Sequence, residues 1–255
     1  MKKIGIVGGT AWPSTVEYYS ELCRRSEERH RARKLQGAPA TAEMCIESLD
    51  LRKAVAYLGR DGDEASWSRF DEYHRAALRR LEASGAEFAL IASNTPHHRF
   101  AAIVRGIAIP VISIIEVAAR ECARIGAGQV LVLGTALTMR SATFRHGFAE
   151  HGIDAAGPQD EAVRVATIEL IAELQLGRIA GAAQRISRIA RSSFNRQCAA
   201  RPVVCLACTE LPLAFPELKS LAAFDFDGAS YVNTSAVHVD AAFEFACRET
   251  PPQAD

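Results

Sequence analysis

Two short segments of the chain carry side chains able to move a proton. Cys208-Thr209-Glu210 follows the apolar run 202–207 and precedes Pro212, and Ser93-Asn94-Thr95 follows the apolar run 88–92 and precedes Pro96. A free thiol ionises near ~8.5, and helix N-termini or hydrogen-bond donors bring that value towards neutrality, so a cysteine at a strand end can serve as base, acid or nucleophile. A serine hydroxyl is a far weaker acid and needs an activating partner. A lone cysteine in such a place is usually inert; a partner in the other half of the chain raises its interest.

That partner belongs to an internal repeat. KKIGIVGGTAWPS resembles GQVLVLGTALTMR, each a strand, a glycine, a threonine and a helix start. FALIASNTPHH resembles VVCLACTELPL in the same way, and the spacing is similar: 85 residues from Gly8 to Ser93, 74 from Gly134 to Cys208. Two related halves each offer a reactive side chain at the carboxyl end of a strand, where open parallel sheets bind ligands.

Other motifs are less specific. Gly5, Gly8 and Gly9 lack the later spacing of a dinucleotide fingerprint, and the turn they make would suit a carboxylate through its backbone N–H groups. Cys205 and Cys208 form a Cys-x-x-Cys pair, but residues three apart on a strand point to opposite faces. Cys205 therefore reads as buried in the sheet, and neither a redox pair nor a metal site is expected. Of the adjacent His97 and His98, at most one is expected to face a small site. The basic run from Arg24 to Lys34 is interleaved with Glu27 and Glu28 and has no interleaved aromatics, so it reads as a solvated helix face rather than a nucleic-acid surface.

The elements that position these residues follow from composition and pattern. With 255 residues, 49% of them hydrophobic, the chain can bury a core without metals or disulfides. Thirty basic and thirty acidic residues cancel, which argues against coating nucleic acid or an acidic membrane. The start MKKIGIVGGTAW reads as a first strand rather than a signal peptide, and seven cysteines, an odd number, suit a reduced cytoplasmic protein. Strands are expected at 3–7, 41–47, 88–92, 109–112, 129–133, 202–207 and 224–226. Helices are expected at 14–33, capped by Ser14 or Thr15, and at 63–84, 114–125, 138–151, 160–176, 180–199 and 233–247. Alternating strand and helix implies parallel sheets with helical crossovers.

With these pieces in place the chain resembles the aspartate/glutamate racemase family, which includes hydantoin racemases and arylmalonate decarboxylases. The matching segments are IGIVGGTAWPST, IASNTPHH, VLVLGTALTM, DEAVR, LACTELPL and VNTSAVH. The resemblance implies an α/β fold of two pseudo-symmetric Rossmann-like lobes, parallel sheets flanked by helices, with the active site in the cleft between them. Residues 1–113 with 214–255 would form one lobe and 114–213 the other. It also implies a cytoplasmic homodimer that uses no cofactor or metal and acts on a small amino-acid or dicarboxylate substrate.

In that family two cysteines face each other across the substrate α-carbon; one thiolate removes the α-proton and the opposite thiol returns one. Here the second is kept as Cys208 and the first is replaced by Ser93. Three readings follow. Ser93 still shuttles a proton, through water or with His97 or His98; this reading ranks first, since relatives with threonine there still act on acidic L-amino acids. Alternatively, Cys208 works alone, as in the decarboxylase relatives, in a single-cysteine decarboxylase or isomerase, or residue 93 is an engineered substitution. A ligand-binding homologue without turnover is a further rival. The resemblance assigns substrate contacts to Thr10, Asn94, Thr95, Thr135 and Thr209. Arg52 and Arg164 are candidates for a distal carboxylate, and Asn233, followed by Thr234 and His238, is expected to shape the site wall.

Overall fold

The strongest β signals, the unbroken apolar runs before Gly8 and before Ser93, become the two central strands of one sheet. The structure, a computed structural model, describes residues 1–60, 62–194 and 202–248 and divides into two compact units. The first contains 1–92, 99–112 and the described residues from Val239 on. Its elements are β1 (Ile4–Gly8), α1 (Trp12–Ala32), β2 (Met44–Ser48), α2 (Leu51–Ala56), α3 (Ser68–Ala83), β3 (Phe88–Ile91), α4 (Phe100–Ile103) and β4 (Val111–Ile112). The sheet order is β2-β1-β3-β4, all parallel, with Ile4 opposite both Met44 and Phe88. β1 and β3 are buried along their whole length, as continuous apolar strands in a helix-covered parallel sheet should be. Ile4, Ile6, Tyr18, Leu22, Phe88 and Leu90 form the core with Val239, Ala242 and Ala246.

The second unit contains 93–98 and 113–238. Its elements are α5 (Ile114–Arg124), β5 (Gln129–Gly134), α6 (Ala136–Arg140), α7 (Ala142–Ala149), β6 (Asp154–Ala156), α8 (Glu161–Gln175), α9 (Ala182–Ser193), β7 (Val203–Ala207), β8 (Ala223–Phe226), β9 (Ala229–Asn233) and the start of α10 (Thr234–Cys247). The order is β6-β5-β7-β9-β8, parallel except for β8. Without β8 this is the strand order of the first sheet, so the repeat read from the sequence is a repeat of topology. The expected α/β architecture of two parallel-dominated sheets flanked by helices is observed.

Several local expectations are corrected. α1 begins at Trp12 without a side-chain cap, because Pro13 in its first turn supplies a fixed φ and needs no N–H partner. The Thr15 hydroxyl instead accepts a hydrogen bond from the Gly9 N–H at 2.9 Å. The expected helix 138–151 breaks at Ser141, whose extended backbone and hydroxyl cap restart it as α7. α2, α4, β6 and β9 were not expected. β9 arises because Asp227 and Gly228, at φ +45° and +82°, make a two-residue hairpin turn that folds 229–233 back on β8. Since β9 then pairs with β7, residues up to His238 belong to the second unit, not to the first lobe as the expected boundary at 214 had it. The expected helix 180–199 is observed as α9 from Ala182 to Ser193, with Phe194 extended after it, and residues 195–199 of the expectation lie outside the described residues.

The glycine turn after β1 is a close-approach device. Gly9 has φ +86°, and a Cβ there would lie 2.2 Å from the Leu49 carbonyl oxygen. Gly9→Ala is expected to lower stability by ~2 kcal/mol or more, from strain at a left-handed position together with the clash. Chemical denaturation checks this, and a loss within ~0.5 kcal/mol would contradict it.

Candidate active site

β7 delivers Cys208 to the end of a buried strand, with Ala207 opposite Gly134 of β5. Gly134 is required there because a Cβ would meet the Ala207 carbonyl oxygen at 2.6 Å. Cys208 is 6% exposed, and its Sγ donates to Glu210 Oε2 at 2.9 Å. The Thr209 hydroxyl donates to the same oxygen at 3.0 Å, while Gln175 Nε2, at the end of α8, donates to Oε1 at 3.2 Å. Burial pushes the Cys208 thiol well above its ordinary value, and the neighbouring Glu210 charge and hydrogen bond push it further. Backbone N–H groups of Glu210 and Thr209 act in the opposite sense without overcoming these effects. Cys208 is therefore a neutral thiol whose proton points at a carboxylate.

Ser93 follows β3 after Ala92, whose N–H donates to the Val7 carbonyl at 2.9 Å. It is half-buried, and its residue segment 93–98 groups with the unit that holds Cys208. A hydrogen-bond chain makes that link: Asn94 Nδ2 donates to Thr234 Oγ1 at 3.1 Å, and Thr234 Oγ1 donates to the Leu206 carbonyl at 3.0 Å, two residues before Cys208. Asn94 is 3% exposed and its Oδ1 has no partner among the described residues. An unpaired buried acceptor costs ~1–3 kcal/mol, which makes it a ready seat for a donor from a ligand. Among the described residues nothing hydrogen-bonds the Ser93 hydroxyl. His97 Nδ1 lies 2.9 Å from the Ser93 carbonyl oxygen, and His98 Nδ1 lies 3.0 Å from Ser141 Oγ, so neither imidazole is placed on the hydroxyl.

The other expected site residues divide. Thr209 and Asn94 lie within these hydrogen-bonded groups, and half-buried Thr95 begins the short turn after Asn94. Thr135 caps α6, accepting from Thr138 N at 3.3 Å and sharing a 3.1 Å hydroxyl contact with Thr138. Arg164 is committed locally: Nε and NH2 bind Glu161, and NH1 donates to the Pro158 and Gln159 carbonyls. Thr10 and Arg52 belong to the first unit, Thr10 half-buried beside the glycine turn and Arg52 exposed in the first turn of α2. Asn233 caps α10 through its Oδ1, accepting from Ser235 N and Ala236 N at 3.0 and 3.3 Å.

Gln175 was missed by the sequence reading, which gave Glu210 no role of its own within the Cys208-Thr209-Glu210 segment and read Thr234 only as part of the site wall. The signal for Glu210 was present, as a carboxylate two residues after a strand-end cysteine. Gln175 is brought in by folding from 33 residues before Cys208 with no local signal, and Thr234 from 26 residues after it, within the VNTSAVH segment. Cys205 is fully buried, as expected, and points away from Cys208 towards Cys122, whose thiol is pushed up to about 12 by burial.

The fold belongs to a class of enzymes that shift protons at carbon. The chain is a member of the Asp/Glu/hydantoin racemase family, whose model matches residues 7–242. An aspartate racemase homologue from Pyrococcus horikoshii OT3 is similar at 28% identity and a TM-score of 0.74, over 97% of this chain and 100% of that one. A putative Asp/Glu racemase from Yersinia pestis shares the fold at 24% identity and a TM-score of 0.78, with 97% and 100% coverage. The Picrophilus torridus aspartate racemase does so at 18% identity and a TM-score of 0.68, with 98% and 96% coverage. Racemases are isomerases, and the chain stands among them. Among the described residues no helix is long and apolar enough to cross a membrane.

The raised thiols make stability depend on pH. Cys122, Cys205 and Cys208 keep their protons in the folded chain above ~8.5, where an unfolded thiol ionises. The unfolded state then binds fewer protons than the folded one, so stability falls as pH rises, by up to ~1.4 kcal/mol per pH unit for each thiol. Urea denaturation under reducing conditions from about pH 8 to about pH 10 should reveal the fall, and Cys205→Ala should make it shallower. Equal slopes for the two proteins would contradict the assignment.

Proposed function

We propose that the protein is an amino-acid racemase acting on aspartate and/or glutamate by two-base proton transfer at the α-carbon, working as a homodimer without pyridoxal phosphate or metal. Cys208 and Ser93 act on opposite faces of the α-carbon, and the Ser93 side limits the rate. The observation that carries the reading is the neutral Cys208 thiol on the Glu210 carboxylate. It supports a thiol able to give a proton to a carbanion and, after Glu210 takes that proton, to remove one as thiolate. The electron pair left at the α-carbon delocalises into the substrate carboxylate, which donors from the strand-end turns would stabilise. The unpaired Asn94 Oδ1 suits the substrate ammonium group, and Thr95 and Thr209 offer hydroxyls for the substrate carboxylate.

Ser93 sets the limit because its hydroxyl has no base hydrogen-bonded to it among the described residues. Enantiomers have equal free energy, so kcat/KM must be the same in both directions, and a poor acid–base group on one face slows both alike. Ser93→Cys should raise kcat/KM about tenfold or more in both directions, in line with what a well-matched acid–base group contributes. Cys208→Ala should reduce activity to background. A chiral-resolved assay with L- and D-aspartate and glutamate decides this; Ser93→Cys left at background for every amino acid would end the two-base reading. The same bare Ser93 hydroxyl favours one rival, a single-cysteine decarboxylase in which Cys208 alone protonates a carbanion. Release of carbon dioxide from a substituted malonate, with no inversion of any amino acid, would establish that rival instead.

A further inference from the structure

We propose that Gln175 is a positioning residue for Cys208, its side-chain amide holding the Glu210 carboxylate in the orientation that keeps one oxygen on the sulfur. The inference rests on the racemase reading for its reaction, but its geometry stands alone. The two oxygens of Glu210 have different partners: Oε2 receives Cys208 Sγ and Thr209 Oγ1, and Oε1 receives Gln175 Nε2. The carboxylate is 9% exposed, so an oxygen without a donor would be poorly solvated. Gln175 fills that place from the last residue of α8, an exposed position. Without it Glu210 is free to turn about its terminal bond and leave the sulfur.

The chemical type of the donor matters as much as its position. An arginine or lysine at 175 would pair with Glu210, neutralise it and make it a poorer proton acceptor. A neutral amide orients the carboxylate and leaves its charge intact. Among the charged side chains of the described residues, Glu210 is the one that acts on the thiol; the remaining influences are burial and the N–H groups of Thr209 and Glu210. Glu173, on the same helix, is held by Arg185. Cys208 shares its buried cluster with Leu170, Leu174 and Leu211.

The proton path balances without an outside reactant. Glu210 takes the Cys208 proton, and the thiolate then takes the α-hydrogen, leaving the electron pair on the substrate. Thiol and carboxylic acid exchange their hydrons, and the thiol returns one to the α-carbon. In heavy water this carries deuterium into the α-position.

Two readouts on the full chain test the role, with Gln175→Leu and Gln175→Arg compared with the unaltered protein. The first is the pH profile of iodoacetamide alkylation at Cys208, read by peptide mass. The second is deuterium entry at the α-carbon of aspartate and glutamate. Glu210 raises the thiol's ionisation point, so its release in Gln175→Leu, or its neutralisation in Gln175→Arg, should lower the alkylation midpoint by about one pH unit. Deuterium entry should fall about tenfold or more in both variants. A more reactive sulfur in a slower enzyme is the signature; a merely loosened site would speed alkylation at every pH with the midpoint unmoved. An unmoved midpoint in both variants overturns the proposal, as does a moved midpoint with deuterium entry unchanged from a measurable starting rate. A moved midpoint in a protein that exchanges no amino acid at all upholds Gln175 as the holder of the Cys208–Glu210 pair and overturns the racemase reading.

Discussion

A buried thiol donating to a buried carboxylate is the constraint around which the second unit is organised. Removing Cys208 from water disfavours its thiolate, and the negative Glu210 beside it disfavours the thiolate again. The pair is tolerated because every partner is supplied: Oε2 has two donors and Oε1 has one. The result is an acid held protonated next to its own acceptor, which differs from a thiolate activated by a nearby cation. Burial and the Glu210 carboxylate both hold the Cys208 proton on the sulfur.

The repeat places a second strand end in correspondence with the first but does not duplicate its chemistry. β3 and β7 occupy the same place in sheets of the same order, and each is followed by a small reactive residue and a turn. At Cys208 the turn brings a carboxylate to the sulfur; at Ser93 it brings an imidazole to the backbone carbonyl and leaves the hydroxyl bare among the described residues. What the Ser93 turn does provide is attachment, through Asn94 and Thr234, to the carbonyl of Leu206. The tie is polar, buried and leaves Asn94 Oδ1 open, so one side chain both fastens the segment and offers an acceptor.

Much of the fold was legible because its signals are local. The apolar runs 88–92 and 202–207 are long enough to be buried strands, and Gly85 and Gly126, at φ +79° and +78°, stop helices where the pattern stops. The failures lie where a longer-range partner decides. Thr15 carries the mark of a helix cap, yet its hydroxyl goes to Gly9 because Pro13 has already begun the helix. β9 is a half-polar segment that becomes a strand only by pairing with β7, and that pairing moves the unit boundary from 214 to 238. Arg164 has the right charge for an acidic substrate, but its guanidinium is used at the start of its own helix.

The sequence alone determined the α/β alternation, the repeat, the strand-end positions of Ser93 and Cys208, and the burial of Cys205, since each depends on residue order or on side-chain period along a strand. Tertiary structure decided the burial that raises the Cys208 thiol, the Glu210 carboxylate on its sulfur, and the attachment of the Ser93 segment to β7. These depend on burial and on donors such as Gln175 and Thr234, which lie far away along the chain. Hydrogen-bond geometry and desolvation are properties of atoms brought together in space, and no pattern along the chain encodes which distant amide will reach a given carboxylate.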